Sequence, residues 1–554
     1  MTLPQFGESQ VNRLKGALGS DATMAGLLVS VLIFALALGS RLPFRSETLQ
    51  HWDSVNYALA LEHFDVRLHQ PQPPGYVLYV ALGAVASALV GGPQLGYVVV
   101  SVLSSALAGL TLYALGKRMY GRTVGSIAAV FLLASPSFWF YGEIGMPHTL
   151  DAFLAILVVY LAQRVWSGEE RVLVPLAVVL GLAGGVRQQT LVFLLPLVAY
   201  CVRGMKAASV ARAILVWLAV TLAWLTPMVC FSGGIEGYRG ALMGLGGRLL
   251  EGTSIFSTDS VASVTRNAVK LAKYSAYGWN IMSVPVLLCA LRGSCRTTGA
   301  RRDRWLVVLW VVPALLFYLL IHMGNPGLVF IYLPALMLVS ARSLVGLVGG
   351  AKSALRSVVP AVALIIAIAA FQFVWLPEYP LGAEGWRCLT WQAVRNRDVQ
   401  LQESVATIQR HFPVESTVVL ASQWRHAAYY LPEYLVLGVP TVRIEGEAGS
   451  FGAVYLNCER QYTALRPPTE ANRFLPDGLR WVVLFDQPAL QWDQNTELDE
   501  NPWVQGRGHA VRYRELGEGE SLRFTLNGYR FDRDSAFAQS LFPERDPGRG
   551  ETGL

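Results

Sequence analysis

Carboxylates, histidines and one arginine gather in short polar segments that interrupt long apolar stretches of the sequence. Asp53 follows the first apolar stretch, and Glu143 lies in a short loop between two later ones. A carboxylate can take a proton from an attacking hydroxyl group, and a cation such as Arg187 can neutralise a leaving phosphate. Ionisable groups at or inside a membrane are costly and usually functional. This set therefore suits an anionic substrate that is carried by a lipid.

Five more polar residues complete the predicted site: His69, Tyr76, His148, His322 and Asn325. His148 and Asp151 fall on one helix face, which is only weak support for a metal. We predict no metal ligands, although the sequence leaves a divalent cation open as a cofactor.

Each of these residues also has a purely structural alternative. Asp53 and Glu143 could serve solely as helix caps. The Pro-rich turn at 69–76 could only set the angle of the next helix. Arg187 could extend to the lipid headgroups.

The composition requires a bilayer for most of the chain. Hydrophobic residues make up 53% of the sequence and charged residues 15%, whereas soluble domains average about 25% charged residues. Charged and turn residues become frequent only from Glu378 onward. We therefore predict two domains: a transmembrane domain at 1–377, with no cleavable signal peptide, and a soluble C-terminal domain at 378–554.

About eleven apolar stretches are close to the length that a spanning helix needs. They are 22–40, 93–116, 123–141, 147–163, 172–186, 190–202, 213–232, 276–291, 305–321, 326–341 and 357–377. A twelfth stretch, 74–91, lies between Pro73-Pro74 and Gly91-Gly92 and is ambiguous.

The distribution of basic residues favours a surface position for 74–91. If it does not cross and the N-terminus is inside, the inside segments carry 18 Lys and Arg residues and the outside segments 9, as the positive-inside rule expects. The outside segments are then 41–73, 142–146, 187–189, 233–275 and 322–325. If 74–91 crossed, the basic loop 292–304 would lie outside. Basic residues confined to such loops set orientation, and they argue against nucleic acid binding.

The C-terminal domain contains two strand-like runs, Thr417–Leu420 and Trp481–Phe485, within mixed helix and loop sequence. Its only cysteines are Cys388 and Cys458, whose pairing the sequence leaves open. The fold class that we predict is an α-helical polytopic membrane protein with outer-face juxtamembrane helices and a C-terminal α/β domain on the exoplasmic side.

The order of the polar segments resembles the GT-C superfamily of glycosyltransferases. The chain has a first-loop aspartate (Asp53), a Pro-Pro-Gly-Tyr turn (73–76), a Ser-Pro-x-Phe-Trp stretch (135–139) running to Glu143, and a late Asn-Pro-Gly (325–327). A Leu-Pro-Ala-Leu helix follows. The similarity covers roughly residues 20–377 and is greatest to the protein O-mannosyltransferase-like and lipid A aminoarabinose transferase-like families.

The resemblance implies a sugar linked to polyprenyl phosphate as donor and a protein, lipid or glycan hydroxyl as acceptor. It implies transfer at the outer face of the plasma (inner) membrane, among membrane lipids, with Asp53 and Glu143 as the catalytic carboxylates. Two positions depart from the related families. Gln72 stands where the aminoarabinose transferases carry a lysine, so His69 or Arg187 would contact the donor phosphate. His148 stands where an aspartate is frequent.

Two other functions remain as alternatives. A polytopic transporter or flippase for a lipid-linked or anionic substrate would fit the composition. However, the sequence has no clear internal repeat and no paired interrupted helices. A non-catalytic assembly subunit would need Asp53 and Glu143 to act only as helix caps.

Overall fold

The computed structural model describes residues 21–292, 301–348, 354–378 and 389–438, and short segments beyond them. Those segments are 454–458, 461–465, 473–474, 478–486, 490–492, 499–500, 511–516, 523–526 and 529–532. The contacts divide the chain into two compact units, Met1–Arg395 and Asn396–Leu554. The division falls later in the chain than the boundary after residue 377 that the composition predicts.

The regular elements among the described residues of the first unit are helices. Its helices are α1 (Asp21–Arg41), α2 (Trp52–Glu62), α3 (Val77–Val90), α4 (Pro93–Tyr120), α5 (Arg122–Ala134), α6 (Pro136–Tyr141), α7 (His148–Trp166), α8 (Leu173–Val186), α9 (Gln188–Val202), α10 (Ala207–Phe231), α11 (Gly234–Thr253), α12 (Ser260–Trp279), α13 (Val284–Leu291), α14 (Arg301–Leu320), α15 (Leu333–Val348), α16 (Ala354–Val374) and the start of α17 (Trp391–His411).

Six helical segments among the described residues are long and apolar enough to cross a membrane: Met24–Phe44, Pro93–Tyr120, His148–Trp166, Ala207–Phe231, Ser260–Leu291 and Asp303–Leu320. Five shorter apolar helices accompany them: Val77–Val90, Arg122–Ala134, Gln188–Val202, Leu333–Val348 and Val358–Val374. Leucines and valines of α1 face outward, as lipid contact requires. Most apolar stretches thus form helices where the sequence places them.

Small residues bring the central helices close together. A Cβ atom on Gly116 of α4 would lie 2.6 Å from the Cα of Gly125 in α5. Larger side chains would push the two helices apart at this point, which is how small residues work in membrane interfaces. The buried side chains of α4, α5, α7 and α15 form the main core around this contact.

Three predicted stretches differ in detail from the observed helices. The stretch 123–141 is divided at Ser135 into α5 and α6, because Pro136 lacks the N–H that would continue the helix. The connection 233–275 is largely helical, and α12 begins at Ser260, before the predicted start of the span at 276. The stretch 326–341 begins as a 3-10 turn, Pro326–Ile331, before α15.

The ambiguous stretch 74–91 forms α3, which has 14 residues. At about 1.5 Å per residue it spans about 21 Å, which is less than the hydrocarbon core of about 30 Å. It packs against α2, α4 and α8, while Val85 and Leu89 remain exposed. Its length is compatible with the surface position that the charge distribution favours.

Among its described residues, the second unit contains most of α17, a short helix α18 (Trp424–Tyr430) and eleven strands. The strands are β1 (Thr417–Ala421), β2 (Leu435–Gly438), β3 (Val454–Cys458), β4 (Gln461–Leu465), β5 (Arg473–Phe474), β6 (Trp481–Leu484), β7 (Leu490–Trp492), β8 (Asp499–Glu500), β9 (Arg512–Glu515), β10 (Arg523–Leu526) and β11 (Tyr529–Asp532). One sheet has the order β4-β3-β2-β1-β6-β9-β8, and a smaller one the order β5-β11-β10-β7.

The two predicted strands are neighbours at the centre of the larger sheet. β1 and β6 run parallel, with Thr417 opposite Trp481 and Leu420 opposite Leu484. β1 is buried along its whole length, as expected for a central parallel strand.

The cysteines give only a partial test of the sequence analysis. Cys201 and Cys289 are buried free thiols within the first unit. Cys388 and the side chain of Cys458, for which pairing was left open, lie outside the described residues.

Candidate functional site

Asp53 lies in the first turn of α2, where the positive end of the helix dipole favours a carboxylate. The N-cap residue is His51, whose Nδ1 accepts a hydrogen bond of 3.1 Å from the backbone N–H of Asp53. His51 therefore supplies the cap that the structural alternative had assigned to the aspartate. The Asp53 side chain remains 26% exposed, so a substrate hydroxyl can reach its carboxylate.

The Pro-rich turn places Tyr76 at the N-terminus of α3, in the left-handed region with φ 44°. Bulky side chains rarely adopt this conformation. Gln72 is buried, donating from Nε2 to the Tyr57 hydroxyl at 2.9 Å and accepting from Asn56 at 3.2 Å. Gln72, which stands where the related family has a lysine, thus links the Pro-rich turn to α2 by hydrogen bonds. It also holds Tyr57 against Tyr76, with ring centroids 5.4 Å apart.

Arg187 lies between α8 and α9 and is 6% exposed. Its Nη1 donates to Oδ2 of Asp151 in the first turn of α7, at 3.4 Å. Thr190, one turn into α9, donates to the other carboxylate oxygen of Asp151. The Nε of Arg187 has no hydrogen-bond partner among the described residues. Asp151 thus orients the guanidinium through Nη1, while Nε can donate a hydrogen bond to a ligand.

The charges of Asp53 and Arg187 both act on Tyr76. Burial raises the pKa of the Tyr76 phenol, the nearby Arg187 lowers it, and the carboxylates of Asp53 and Asp151 raise it. Tyr57 is similarly placed: burial and the charge of Asp53 raise its pKa, and Arg187 lowers it. Both tyrosines therefore feel the charges of a partly exposed carboxylate and a buried cation.

His148 stands one turn before Asp151 on α7, under the turn that precedes α15. A Cβ atom on Gly327 would lie 2.5 Å from the His148 ring, so only glycine allows this close approach. Neither ring nitrogen of His148 has a hydrogen-bond partner among the described residues, and the same holds for the Oδ1 of Asn325. Native proteins leave few buried polar atoms unpaired, so these groups are candidates for ligand contacts.

His322 completes the set at the end of α14. Its Nδ1 lies 3.0 Å from the Thr253 hydroxyl. Burial lowers its pKa to about 4, with further lowering by the charges of Lys270 and Arg187. His322 is therefore neutral at pH 7 and lies close to two cations.

Glu143 is placed differently from the expectation that both carboxylates open toward the outer surface. Its side chain is 0% exposed. Burial raises its pKa well above the usual range, while Arg41 and Trp139 lower it. Arg41, which ends the first apolar helix, is also buried and lies beside the loop that carries Glu143.

Of the predicted residues, Tyr76, His148 and His322 lie within electrostatic range of Arg187, and Asp53 lies within electrostatic range of Tyr76. In the sequence, Asn325 lies between Gly324, which is close to His322, and Gly327, which is close to His148. Glu143 is buried, in the loop that Arg41 adjoins at Gly142. His69 is half-buried at the end of the 3-10 turn Val66–Leu68, with its backbone in the left-handed region.

Sequence reasoning did not identify Arg41, Tyr57 or Lys270, and it treated Asp151 only as a weak metal ligand. For Tyr57 a signal existed, since it lies four residues after Asp53 on one helix face. Within the described ranges, no group of three or more His, Cys, Asp or Glu residues could hold a metal ion.

Comparison with known proteins gives a family match over part of the chain and a similar fold. Residues 72–231 match the family described as dolichyl-phosphate-mannose-protein mannosyltransferase. The structure is similar to that of ArnT from Cupriavidus metallidurans bound to undecaprenyl phosphate, with a TM-score of 0.54 and 12% identity over 89% of this chain and 98% of that chain. No curated protein sequence matches this chain.

Two other solved structures are less similar. ArnT from Cupriavidus metallidurans in the apo state has a TM-score of 0.48 and 14% identity over 75% of this chain and 86% of that chain. The oligosaccharyltransferase of Archaeoglobus fulgidus in the apo form has a TM-score of 0.42 and 14% identity over 74% and 64%.

The family match at residues 72–231 agrees with the predicted resemblance to the GT-C type. The similarity to ArnT bound to undecaprenyl phosphate confirms the predicted fold class, a helical membrane protein with a C-terminal α/β domain. The matched region contains Tyr76, Glu143, His148 and Arg187, whereas Asp53 precedes it.

Proposed function

We propose that this chain, a membrane protein of the GT-C glycosyltransferase type, moves a sugar from a polyprenyl-phosphate donor to an acceptor hydroxyl. Asp53 is the general base, and the sugar carbon is inverted. Arg187 and His322 contact the donor phosphate, with Tyr76, His148 and Asn325 lining the same pocket.

One observation carries this proposal. A buried arginine, oriented by Asp151, and a partly exposed aspartate both act electrostatically on Tyr57 and Tyr76. A phosphate needs a cation that stays charged and presents a fork of donors. A hydroxyl nucleophile needs a carboxylate within reach. The site offers both groups: Arg187 is the buried cation, and Asp53 is the partly exposed carboxylate.

The reaction needs one bond to form and one to break. The carboxylate of Asp53 takes the proton from the acceptor hydroxyl as the acceptor oxygen attacks the anomeric carbon. The bond from that carbon to the phosphate oxygen breaks, and polyprenyl phosphate leaves with the electron pair. Arg187 stabilises the negative charge that develops on the phosphate. A single displacement of this kind inverts the carbon.

The comparisons support the donor class. The matching family is described by dolichyl-phosphate mannose, and the ArnT structure was obtained with undecaprenyl phosphate. We carry over from them only a sugar on a polyprenyl phosphate. The acceptor class, whether protein, lipid or glycan, stays open.

We further propose that the site and the C-terminal domain lie on the outer (periplasmic or extracellular) side of the plasma membrane. The distribution of Lys and Arg supports this orientation. Reporter tags for protease accessibility at Gly121 and Gly168, both in short connections, should be protected from outside, and a tag at Gly91 should be cleaved. Cleavage of the tags at Gly121 and Gly168, with protection of the tag at Gly91, would show that the opposite orientation is correct.

The experiment that tests the function uses purified full-length protein in lipid nanodiscs. Polyprenyl-phosphate mannose, labelled in the sugar, is mixed with a panel of acceptors, including water-soluble peptides and lipid hydroxyls. Labelled product together with released polyprenyl phosphate supports the proposal. Donor binding without any product, combined with donor movement across proteoliposomes, would identify a transporter instead.

A further inference from the structure

A groove of about 410 Å³ lies between the first two turns of α5 and the first half of α16. Its volume is within the range of about 300–1,000 Å³ that is usual for ligand sites. Ile127 and Val358 are buried, at 6% and 2% exposure, whereas Val359 is 59% exposed. The groove therefore has a closed floor where the two helices pack, and it is open on the side where Val359 lies.

The α16 side of the groove is apolar, since Val362, Ala363 and Ile366 continue the wall that the two valines begin. On the α5 side, the hydroxyl of Ser126 donates to the carbonyl of Arg122 at 3.0 Å, so this hydroxyl is satisfied within its own helix. Hydrocarbon packs against such walls by dispersion contacts, whereas a polar ligand would find few hydrogen-bonding groups. The groove thus fits an acyl chain.

Positive charge gathers at the end of the groove where α5 begins. Arg122 is the first residue of α5 and lines the groove. The segments 117–122 and 342–356 each contain three Lys or Arg residues and no Asp or Glu. The two segments are in contact, since the guanidinium carbon of Arg342 lies 4.6 Å from the centroid of the Tyr120 ring. Basic residues beside an apolar surface attract anionic lipids.

The position of Arg122 separates this groove from the candidate active site. Because α5 has 13 residues, Arg122 lies about 20 Å along the helix axis from the break at Ser135. The chain after Ser135 leads through α6 to the loop before His148 and the candidate site. A phosphate at Arg122 is therefore not the phosphate that Arg187 is proposed to contact.

We propose that this groove binds one anionic phospholipid, with an acyl chain along α16 and the phosphate near Arg122. Arg118 is paired with Glu169 at 2.6 Å, and an anionic headgroup complements the surplus of positive charge that the other basic residues of the two segments leave. In the proposed orientation, this lipid belongs to the inner leaflet. The inference does not depend on the proposed reaction.

The test measures which lipids the purified full-length protein retains. Protein in micelles is mixed with equal amounts of phosphatidylglycerol and phosphatidylcholine of identical acyl chains, and native mass spectrometry counts the bound lipids. The wild type should retain one phosphatidylglycerol, preferred about fivefold or more over phosphatidylcholine, since one basic residue near an anionic lipid has an effect of this size. Arg122→Gln should lower the preference about fivefold. Arg171→Gln is the matched control, because Arg171 is 82% exposed and does not line the groove.

A second pair of variants blocks the groove. Ala363→Trp places a bulky ring in it and should abolish retention of phosphatidylglycerol. Leu364→Trp changes the neighbouring residue, which is 62% exposed and does not line the groove, and should retain the lipid as the wild type does. If Ala363→Trp does not fold, Thr123→Phe on the α5 wall makes the same comparison.

Three kinds of result would overturn the proposal. A folded Ala363→Trp protein that retains phosphatidylglycerol at the wild-type level would show that the lipid binds elsewhere. Equal retention of the two phospholipids by the wild type would refute selection by charge. Displacement of the retained phosphatidylglycerol by an equal amount of undecaprenyl phosphate, or a dimer that Ala363→Trp disrupts, would assign the groove to a different occupant.

Discussion

Nη1 of Arg187, at the junction between α8 and α9, lies 3.4 Å from Oδ2 of Asp151 in α7. Thr190 holds the second oxygen of the same carboxylate. Asp151 in the first turn of α7 therefore orients Arg187, while the arginine Nε keeps its capacity to donate. A fixed guanidinium loses little conformational freedom when an anion binds, which suits a phosphate contact.

Replacing Arg187 with glutamine should weaken donor binding. Hydrogen bonds to charged groups contribute about 1.5–3 kcal/mol, so the KM for the donor should rise about 10- to 100-fold. Steady-state kinetics over a donor titration measure this change. Arg203→Gln is the control, because Arg203 is engaged with the Tyr200 ring, 3.9 Å from its centroid, outside the candidate site. An unchanged donor KM in Arg187→Gln would show that Arg187 does not contact the donor phosphate.

The approach of Gly327 to His148 predicts an asymmetric effect of two Gly→Ala changes. In Gly327→Ala the new methyl group would be placed 2.5 Å from the imidazole, so we expect a loss of about 1–3 kcal/mol from overpacking, with reduced transfer. Gly346→Ala in α15 adds a methyl where nothing lies within 4 Å, and should be neutral or stabilising by up to about 1 kcal/mol. Thermal unfolding in detergent compares the two. Equal stability of both variants would show that the contact is not tight.

Stability should depend on pH through His322. Its folded-state pKa of about 4 lies below the ordinary value of about 6.5. Between these values the unfolded chain binds more protons than the folded protein, so the free energy of unfolding falls as pH drops from about 7 toward 4. His322→Gln should lose less stability than wild type between pH 7 and pH 5, by on the order of 1–2 kcal/mol.

The control for this pH dependence is His63→Gln, because His63 is exposed at the end of α2. It should show the wild-type loss. If His322→Gln loses as much stability as wild type, His322 is not buried in its neutral form.

Residue type and spacing were enough to propose Asp53, Tyr76 and Arg187 as site residues, because ionisable and aromatic groups beside apolar stretches are conspicuous in a sequence. The partner of Arg187 was not found this way. Helix pitch puts His148 and Asp151 on one face of α7, but it cannot say which other helix packs there.

The position of Glu143 shows the same limit. Its short loop suggested exposure near the bilayer surface, yet its carboxylate is buried with Arg41, a residue that the sequence presents only as the basic end of the first span. Most apolar stretches were located correctly by hydropathy. The helical character of 234–253 was missed because its many glycines lower helix propensity, and tertiary contacts outweigh that tendency.

The most direct test of the account is the rate of sugar transfer by Asp53→Asn, with Glu62→Gln at the other end of α2 as control. The variant should bind polyprenyl-phosphate sugar as wild type does, because Arg187 is intact, and its kcat should fall about 10²- to 10⁴-fold, the usual contribution of a general base. Glu62→Gln should keep wild-type kcat. Transfer by Asp53→Asn within a few-fold of wild type would contradict the assignment of Asp53 as the base.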